Sequence, residues 1–330
     1  MGRIIAEHKE RYVVATARGE VDAEITGNMR FSANGREDFP AVGDWVSFIF
    51  CGVDFAIINE VLPRYSIIKR KAVGKNSEVQ IIGTNIDFAL IMQSANRDFN
   101  INRLERYLTL CNSSKISPII LLTKTDLISK EELSVLSGEI KQRIENVPFI
   151  AISNETESGY KELKQVLKSG KTYCMLGSSG VGKSTLLNHL SGKNIMKTKA
   201  ISASSDRGRH VSSHRELTVL DNGSILIDNP GMREVGIADS SNGLDTTYDK
   251  IADFAKQCRF KDCNHDNDTG CAVIEAVENG EIEKSYYQNY LKLFKESAHF
   301  ESSVQEKRKK DKDFGKMLKN YKKIQKRNKD

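Results

Sequence analysis

Residues 172–190 read TYCMLGSSGVGKSTLLNHL. A short apolar run leads straight into Gly177-Ser178-Ser179-Gly180-Val181-Gly182-Lys183-Ser184, a complete G-x-x-x-x-G-K-S, and a helical pattern begins at once behind it. Strand, glycine-rich turn and helix stand in the order that a phosphate loop requires. The glycines let successive backbone N–H groups turn inward on an anion, and the N-terminus of the following helix adds positive potential. In such a loop Lys183 reaches the β- and γ-phosphates, the Ser184 hydroxyl ligates Mg²⁺, and Thr185 follows in the first helical turn. The stretch predicts a nucleoside triphosphate site on an α/β sheet.

Apolar runs bounded by breakers flank it: DFALIMQS, SPIILLTK and VPFIAIS, with INRLERYLTLC and SGYKELKQVL at helical spacing between them. That alternation predicts a parallel sheet covered by helices. ELTVL and SILID flank Asp221-Asn222-Gly223, a turn suited to a hairpin.

The phosphate loop does not reveal the base. Thr123-Lys124-Thr125-Asp126, ending the strand SPIILL, does. A carboxylate only accepts, so Asp126 can take hydrogen bonds from N1–H and the exocyclic amine of guanine, whereas adenine would turn an acceptor toward it. Lys124 would lay its aliphatic stem on the purine, and Ala151-Ile152-Ser153 is the companion loop after the next strand. Asp228-Asn229-Pro230-Gly231 ends the strand SILI: Asp228 would hold Mg²⁺ through water, and the Gly231 N–H would meet the γ-phosphate. The base-reading motifs precede the phosphate loop, the reverse of the usual order. The chain therefore reads as a circularly permuted GTPase, in which the segment after Gly231 is tied to the most nucleotide-sensitive loop.

That segment holds Cys258-x4-Cys263-x-His265-x5-Cys271. Three thiolates and an imidazole suit tetrahedral Zn²⁺, and a site with no open position is structural. Cys51, Cys111 and Cys174 stand singly in apolar surroundings and are expected in the core. After Asp239 the pattern is helical, with Tyr286, Tyr287, Tyr290, Leu291 and Phe294 on one packing face.

Residues 1–72 carry short strands separated by turn signals: RYVVATARG, VDAEITG, WVSFIF and FAIINEVL. They predict a small barrel, for which an OB-fold and an SH3-like barrel both fit. It reads either as a rigid spacer or as an RNA-facing surface with Arg64, Lys69, Arg70 and Lys71 at its exit.

The division expected is therefore 1–72 β-barrel, 73–239 permuted GTPase domain, and 240–330 helical zinc-binding domain with a basic tail. With 330 residues, 39% hydrophobic and 28% charged, the chain can fill several cores, which excludes wholesale disorder, collagen repeats and disulfide mini-scaffolds. The net charge of +6 is concentrated at the end, where Glu306 to Asp330 holds twelve Lys/Arg against four Asp/Glu, a composition that reads either as a tail seeking phosphate backbones or as a solvated, partly helical end. No run approaches the roughly 18 apolar residues of a membrane span, and charge interrupts the N-terminus where a signal peptide is apolar. The expectation is a soluble, cytoplasmic monomer.

Permuted order, an N-terminal barrel and a Cys3His segment together resemble the RsgA (YjeQ) family of ribosome small-subunit-dependent GTPases, over nearly the whole chain. The resemblance implies an OB-fold, a permuted GTPase and a zinc domain that bind the small ribosomal subunit and its rRNA, with subunit-stimulated hydrolysis during late assembly. Many GTPases place a water-orienting Gln after the Gly of the third nucleotide motif, where this chain has Met232. Arg207-Gly208-Arg209-His210 resembles the family's switch I, which assigns the water-positioning role to His210. The family's threonine run after it is Val211-Ser212-Ser213 here, so Ser212 or Ser213 takes the second Mg²⁺ position. The family's Glu-Pro before the last zinc Cys is Asp268-Thr269, which leaves the ligand types intact. A GTP-gated RNA-binding factor with negligible turnover is the alternative that Met232 and the basic tail favour. Asp126 argues against a third class, an ATP-using P-loop enzyme.

Overall fold

The computed structural model describes residues 1–8, 11–71, 79–96, 98–192, 216–228 and 241–299. The chain opens with β1 (Gly2–His8), β2 (Arg11–Thr16), β3 (Gly19–Ile25), the short helix α1 (Gly27–Ser32), β4 (Trp45–Phe50) and β5 (Phe55–Val61). Alternating residues of these strands, among them Ile4, Val14, Val21, Val46 and Ile58, meet in one core. The strands run in the order β1-β2-β3-β5-β4, β3 and β5 are parallel, and β4 returns to β1. This Greek-key closure is that of an OB-type barrel, which decides between the two barrels left open by pattern. Helix α1 carries no apolar period; its start is set by Thr26, whose hydroxyl accepts from Met29 N.

After a hairpin of β6 (Ile67–Lys71) and β7 (Val79–Thr84) come β8 (Phe88–Ser94), α2 (Ile101–Ser113), β9 (Ser117–Thr123), α3 (Lys130–Arg143), β10 (Phe149–Ala151), α4 (Tyr160–Val166), β11 (Thr172–Leu176), α5 (Lys183–Ser191), β12 (Glu216–Val219) and β13 (Ile225–Asp228). The sheet order is β10-β9-β8-β11-β13-β12, parallel except for β12, which forms the expected hairpin with β13. Strands β8, β9 and β11 are near-continuously apolar because both faces are covered. Ala89 and Ile91 pack on one side with Leu104, Tyr107, Leu108 and Cys111 of α2. Leu90 and Met92 pack on the other with Leu163 of α4 and Leu186, Leu187 and Leu190 of α5.

The two β units share a strand. Gly2 and Arg3 of β1 pair with β4 to close the barrel, a register shift follows between Ile4 and Ala6, and Ala6 then pairs with Glu216 of β12. Ile4 faces the barrel core while Ile5 packs on the core under α2. Among the described residues, eleven strands thus form one sheet. Arg3 secures this seam: buried, it donates to Gly43 O (3.2 Å), Asn85 O (3.1 Å) and Thr172 Oγ1 (2.9 Å).

The C-terminal part is helical: α6 (Ser241–Thr247), α7 (Asp249–Ala255), α8 (Ala272–Glu278) and a further helix over 284–299. Tyr248, Ile251, Val273, Tyr286, Tyr290 and Leu293 fill its core, with Tyr287, Leu291 and Phe294 packed against it. Helix α6 lies directly on α2, where a Cβ on Gly243 would stand 2.3 Å from Thr109 O.

Two expectations from sequence need correction. Cys51 is exposed at the end of β4; Cys111 and Cys174 are buried as expected. Arg64 is not a surface cation, because its Nε and Nη2 grip the fully buried Asp44 at 2.8 and 2.6 Å while Nη1 and Nη2 donate to Glu37 O and Phe39 O. Lys69 is paired with Glu37 at 2.9 Å. Four of the five Arg64 N–H donors are thereby committed inside the protein, and its charge is already paired.

Candidate functional site

The carboxyl ends of parallel strands are where an open α/β sheet binds ligands. Here those of β11, β9 and β10 carry Gly177–Ser184, Thr123–Asp126 and Ala151–Ser153 to one edge. Gly177, Gly180 and Gly182 have φ of +153°, +81° and +101°. A Cβ on Gly177 would stand 2.4 Å from Met92 O, and one on Gly182 would stand 2.7 Å from Asn154 Nδ2, so the turn is a close backbone cradle. Gly182 caps α5, placing Lys183, Ser184 and Thr185 in its first turn. Lys183 Nζ curls inside the loop to Gly177 O (2.8 Å) and Ser178 O (2.7 Å).

The neighbouring loops fix this cradle. Thr123, fully buried, donates its hydroxyl to Val181 O at 2.8 Å, and Asn154 Nδ2 donates to Gly182 O at 3.2 Å. Asn154 Oδ1 in turn accepts from Tyr160 OH at 2.9 Å. Thr123 therefore reaches a phosphate only through the loop it holds. The tie through Asn154 and Tyr160 was missed from sequence, where an Asn after a strand reads as a loop residue. Lys124 sits at φ 58°, ψ 38°, a left-handed conformation rare for Lys and of the kind that clusters at binding sites. It turns the chain into a single helical turn that presents Asp126 at the surface, with Oδ1 accepting from the buried Ser153 hydroxyl. The Asp126 carboxylate is thus already held by a hydroxyl from a second loop. Asp228 ends β13, whose Ile227 pairs with Cys174 on β11, which puts its backbone beside the strand that feeds the phosphate loop. His210, Ser212, Ser213, Gly231, Met232 and the basic tail 306–330 lie outside the described residues.

A second cluster lies in the helical part. The donor atoms of Cys258, Cys263, His265 and Cys271 all lie within 4.8 Å of one another. Cys258 Sγ and Cys271 Sγ are 3.8 Å apart, and His265 Nδ1 stands 3.5 and 3.4 Å from them. A tetrahedron with bonds of about 2.3 Å to sulfur and about 2.0 Å to nitrogen has S···S edges of about 3.8 Å and N···S edges of about 3.5 Å, so the donors fit such a metal ion. Burial and the neighbouring thiols push the Cys263 thiol up to about 12, and burial holds the His265 imidazole below its ordinary value.

A glycine cradle before α5, with the Thr123–Asp126 loop ahead of it in sequence but beside it on one parallel sheet, defines a circularly permuted P-loop GTPase. The family model described as RsgA GTPase matches residues 61–238. The chain belongs to the RsgA GTPase family and is a GTP hydrolase. A model of ABC transporters also matches, over residues 160–329, a stretch that contains the shared phosphate loop but not Thr123–Asp126. The small ribosomal subunit biogenesis GTPase RsgA 1 of Bacteroides thetaiotaomicron is 39% identical over 98% of this chain and 90% of its own length. RsgA 2 of Lactiplantibacillus plantarum, with the same descriptive name, is 42% identical over 91% of this chain and 84% of its own. The crystal structure of YjeQ from Thermotoga maritima superposes with a TM-score of 0.66 at 26% identity, covering 89% of this chain and 97% of that one. YloQ, a circularly permuted GTPase, shares the fold with a TM-score of 0.63 over 93% of this chain and 95% of its own, at 23% identity.

Proposed function

We propose that this protein binds the small ribosomal subunit and hydrolyses GTP when the subunit stimulates it, in late subunit assembly. The observation that carries the reading is the pair of hydrogen bonds from Thr123 and Asn154 to the phosphate loop, which makes base recognition and phosphate binding one rigid unit. The small-subunit names of the relatives supply the partner.

In this reading Gly177, Ser178, Ser179, Gly180, Val181 and Gly182 cradle the phosphates with backbone N–H groups, and Lys183 leaves its loop carbonyls for the β- and γ-oxygens. Asp126, steadied by Ser153, reads guanine, with the Lys124 stem and the Ala151–Ser153 loop on its faces. Ser184 and Asp228 would hold Mg²⁺, which when bound neutralises charge on the β- and γ-phosphates. Gly231 donates to the γ-phosphate, and His210 holds the attacking water in place of the glutamine that Met232 replaces. Cys258, Cys263, His265 and Cys271 bind one structural Zn²⁺. We assign residues 1–72, 73–239 and 240–330 to barrel, GTPase and zinc domains of a cytoplasmic monomer whose basic tail contacts rRNA. Among the described residues no helix is long and apolar enough to cross a membrane.

Phosphate release from GTP and from ATP, with and without purified small subunits, tests the reading. GTP-selective stimulation by subunits is expected. Binding of subunits in the GTP state without acceleration would favour the second reading, a GTP-gated binding factor, for which the side chain of Met232 is the specific support.

A further inference from the structure

Arg103 stands in the first turn of α2, behind the cap Asn100, whose side chain accepts from Arg103 N at 3.1 Å. Its Nη1 donates to Ser178 Oγ, in the phosphate loop, at 3.3 Å, across 75 residues of sequence. Lys183 Nζ holds the carbonyl of that same Ser178 at 2.7 Å, so the turn is gripped by an ammonium from inside and a guanidinium from outside. Among the described residues no carboxylate pairs with Arg103, in contrast to Arg64, Arg106 and Arg143, each of which has one. An arginine kept half-buried without a counter-charge beside a phosphate cradle contributes fixed positive potential there.

The same helix carries the C-terminal helical part. One residue C-terminal to Leu104, the buried Glu105 accepts from Arg143 Nε (2.6 Å), Asn289 Nδ2 (2.5 Å) and Tyr248 OH (3.2 Å). Arg106 pairs with Glu296 at 2.8 Å, and Asn112 donates to Thr247 Oγ1 at 2.9 Å. A helix moves as a rigid body, so any tilt that the C-terminal part imposes on α2 displaces Arg103 against Ser178.

We infer that Arg103 is a positioning residue for GTP hydrolysis: it fixes the Ser178 turn of the phosphate loop and relays to that turn the seating of the C-terminal helices on α2. It acts through Ser178 and not on the reacting atoms. The inference rests on the proposed reading of a subunit-stimulated GTPase and gives that stimulation a physical route into the loop, where a misplacement of about 1 Å costs on the order of 10²-fold in rate.

The test is a double-mutant cycle on the full chain: wild type, Arg103→Ala, Ser178→Ala and the double variant, with Arg103→Lys as the conservative control. Melting temperature, GTP Kd, and kcat and KM with and without small subunits are read for each. Arg103→Ala is expected to lower stimulated kcat at least tenfold with KM within about threefold. Arg103→Lys, which keeps charge and a donor, should recover most of that loss. The double variant should be no slower than Arg103→Ala alone. Unchanged kcat in Arg103→Ala beside a stimulated wild type, or losses that multiply in the double variant, would overturn the inference. A wild type that subunits fail to stimulate would instead sink the proposed function. The cycle on kcat without subunits then decides the Arg103–Ser178 coupling alone, and losses that multiply there would reject it.

Discussion

Ser153 Oγ and Asp126 Oδ1 are joined at 2.5 Å, so the carboxylate proposed to read the base is held by a hydroxyl from a different loop. Asp126→Ala is expected to abolish GTP preference over ATP, a loss of at least about 10²-fold, because a site built to pair a donor edge discriminates through the unpaired group. Asp126→Asn exchanges one acceptor for a donor and should transfer preference to xanthosine triphosphate, whose ring offers a carbonyl where guanine has its amine. Ser153→Ala removes one hydrogen bond worth about 1 kcal/mol and should weaken GTP roughly fivefold. Nucleotide competition assays measure all three.

The Cys3His donors predict about one zinc per chain by elemental analysis. Cys263→Ser, or chelation, should release it and melt the C-terminal helices selectively, since metal-binding free energy in small modules is folding free energy. Retained zinc with unchanged proteolytic resistance in Cys263→Ser would contradict this.

Arg64→Ala should destabilise the protein by about 3–5 kcal/mol, because it strands the carboxylate of Asp44 in the barrel wall. Replacing both partners, Arg64→Met with Asp44→Leu, should cost much less. Denaturant titration separates the two outcomes.

Burial pushes the Glu105 carboxyl above its ordinary 4.5, against the pull of Arg143, Asn289 and Tyr248. The folded state then keeps a proton that the unfolded chain has released. Stability contributed by this group is therefore present below pH 4.5 and is lost as the pH rises through the raised folded value. Glu105→Gln should lack that slope in the pH dependence of unfolding.

Gly243→Ala places a methyl group on the backbone of α2, 2.3 Å from Thr109 O. Overpacking of this kind costs about 1–3 kcal/mol. Partial separation of α6 from α2 should appear as faster hydrogen exchange in both helices.

Much of the molecule was legible in its residues. The phosphate loop, the strands around it and the β12–β13 turn obey local rules that tertiary packing did not override. Base-before-phosphate order fixed the permutation without any coordinates. The features that escaped were non-local. Arg64 reads as a free cation until its partner Asp44, twenty residues earlier, is seen to be buried. Asn154 and Arg103 belong to no motif and gain meaning from the groups they touch. Strand β1 begins with Gly2-Arg3 and has a charge near each end, so its dual pairing had no sequence signature. Helix α3 has only Ile140 fully buried, and its start rests on the Ser129–Glu132 capping box more than on an apolar stripe.

The dual pairing of β1 also determines how the molecule can be dissected. Strand β12 sits at the margin of the nucleotide-binding sheet, and Ala6 pairs with Glu216 at the start of its outer side. A fragment that begins after the barrel would lose that pairing and open Glu216 as well, next to Leu217 and Val219, a template for strand addition by another copy. An isolated GTPase fragment is therefore expected to self-associate more than the full chain, which would make β1 a guard of that edge as well as a part of the barrel.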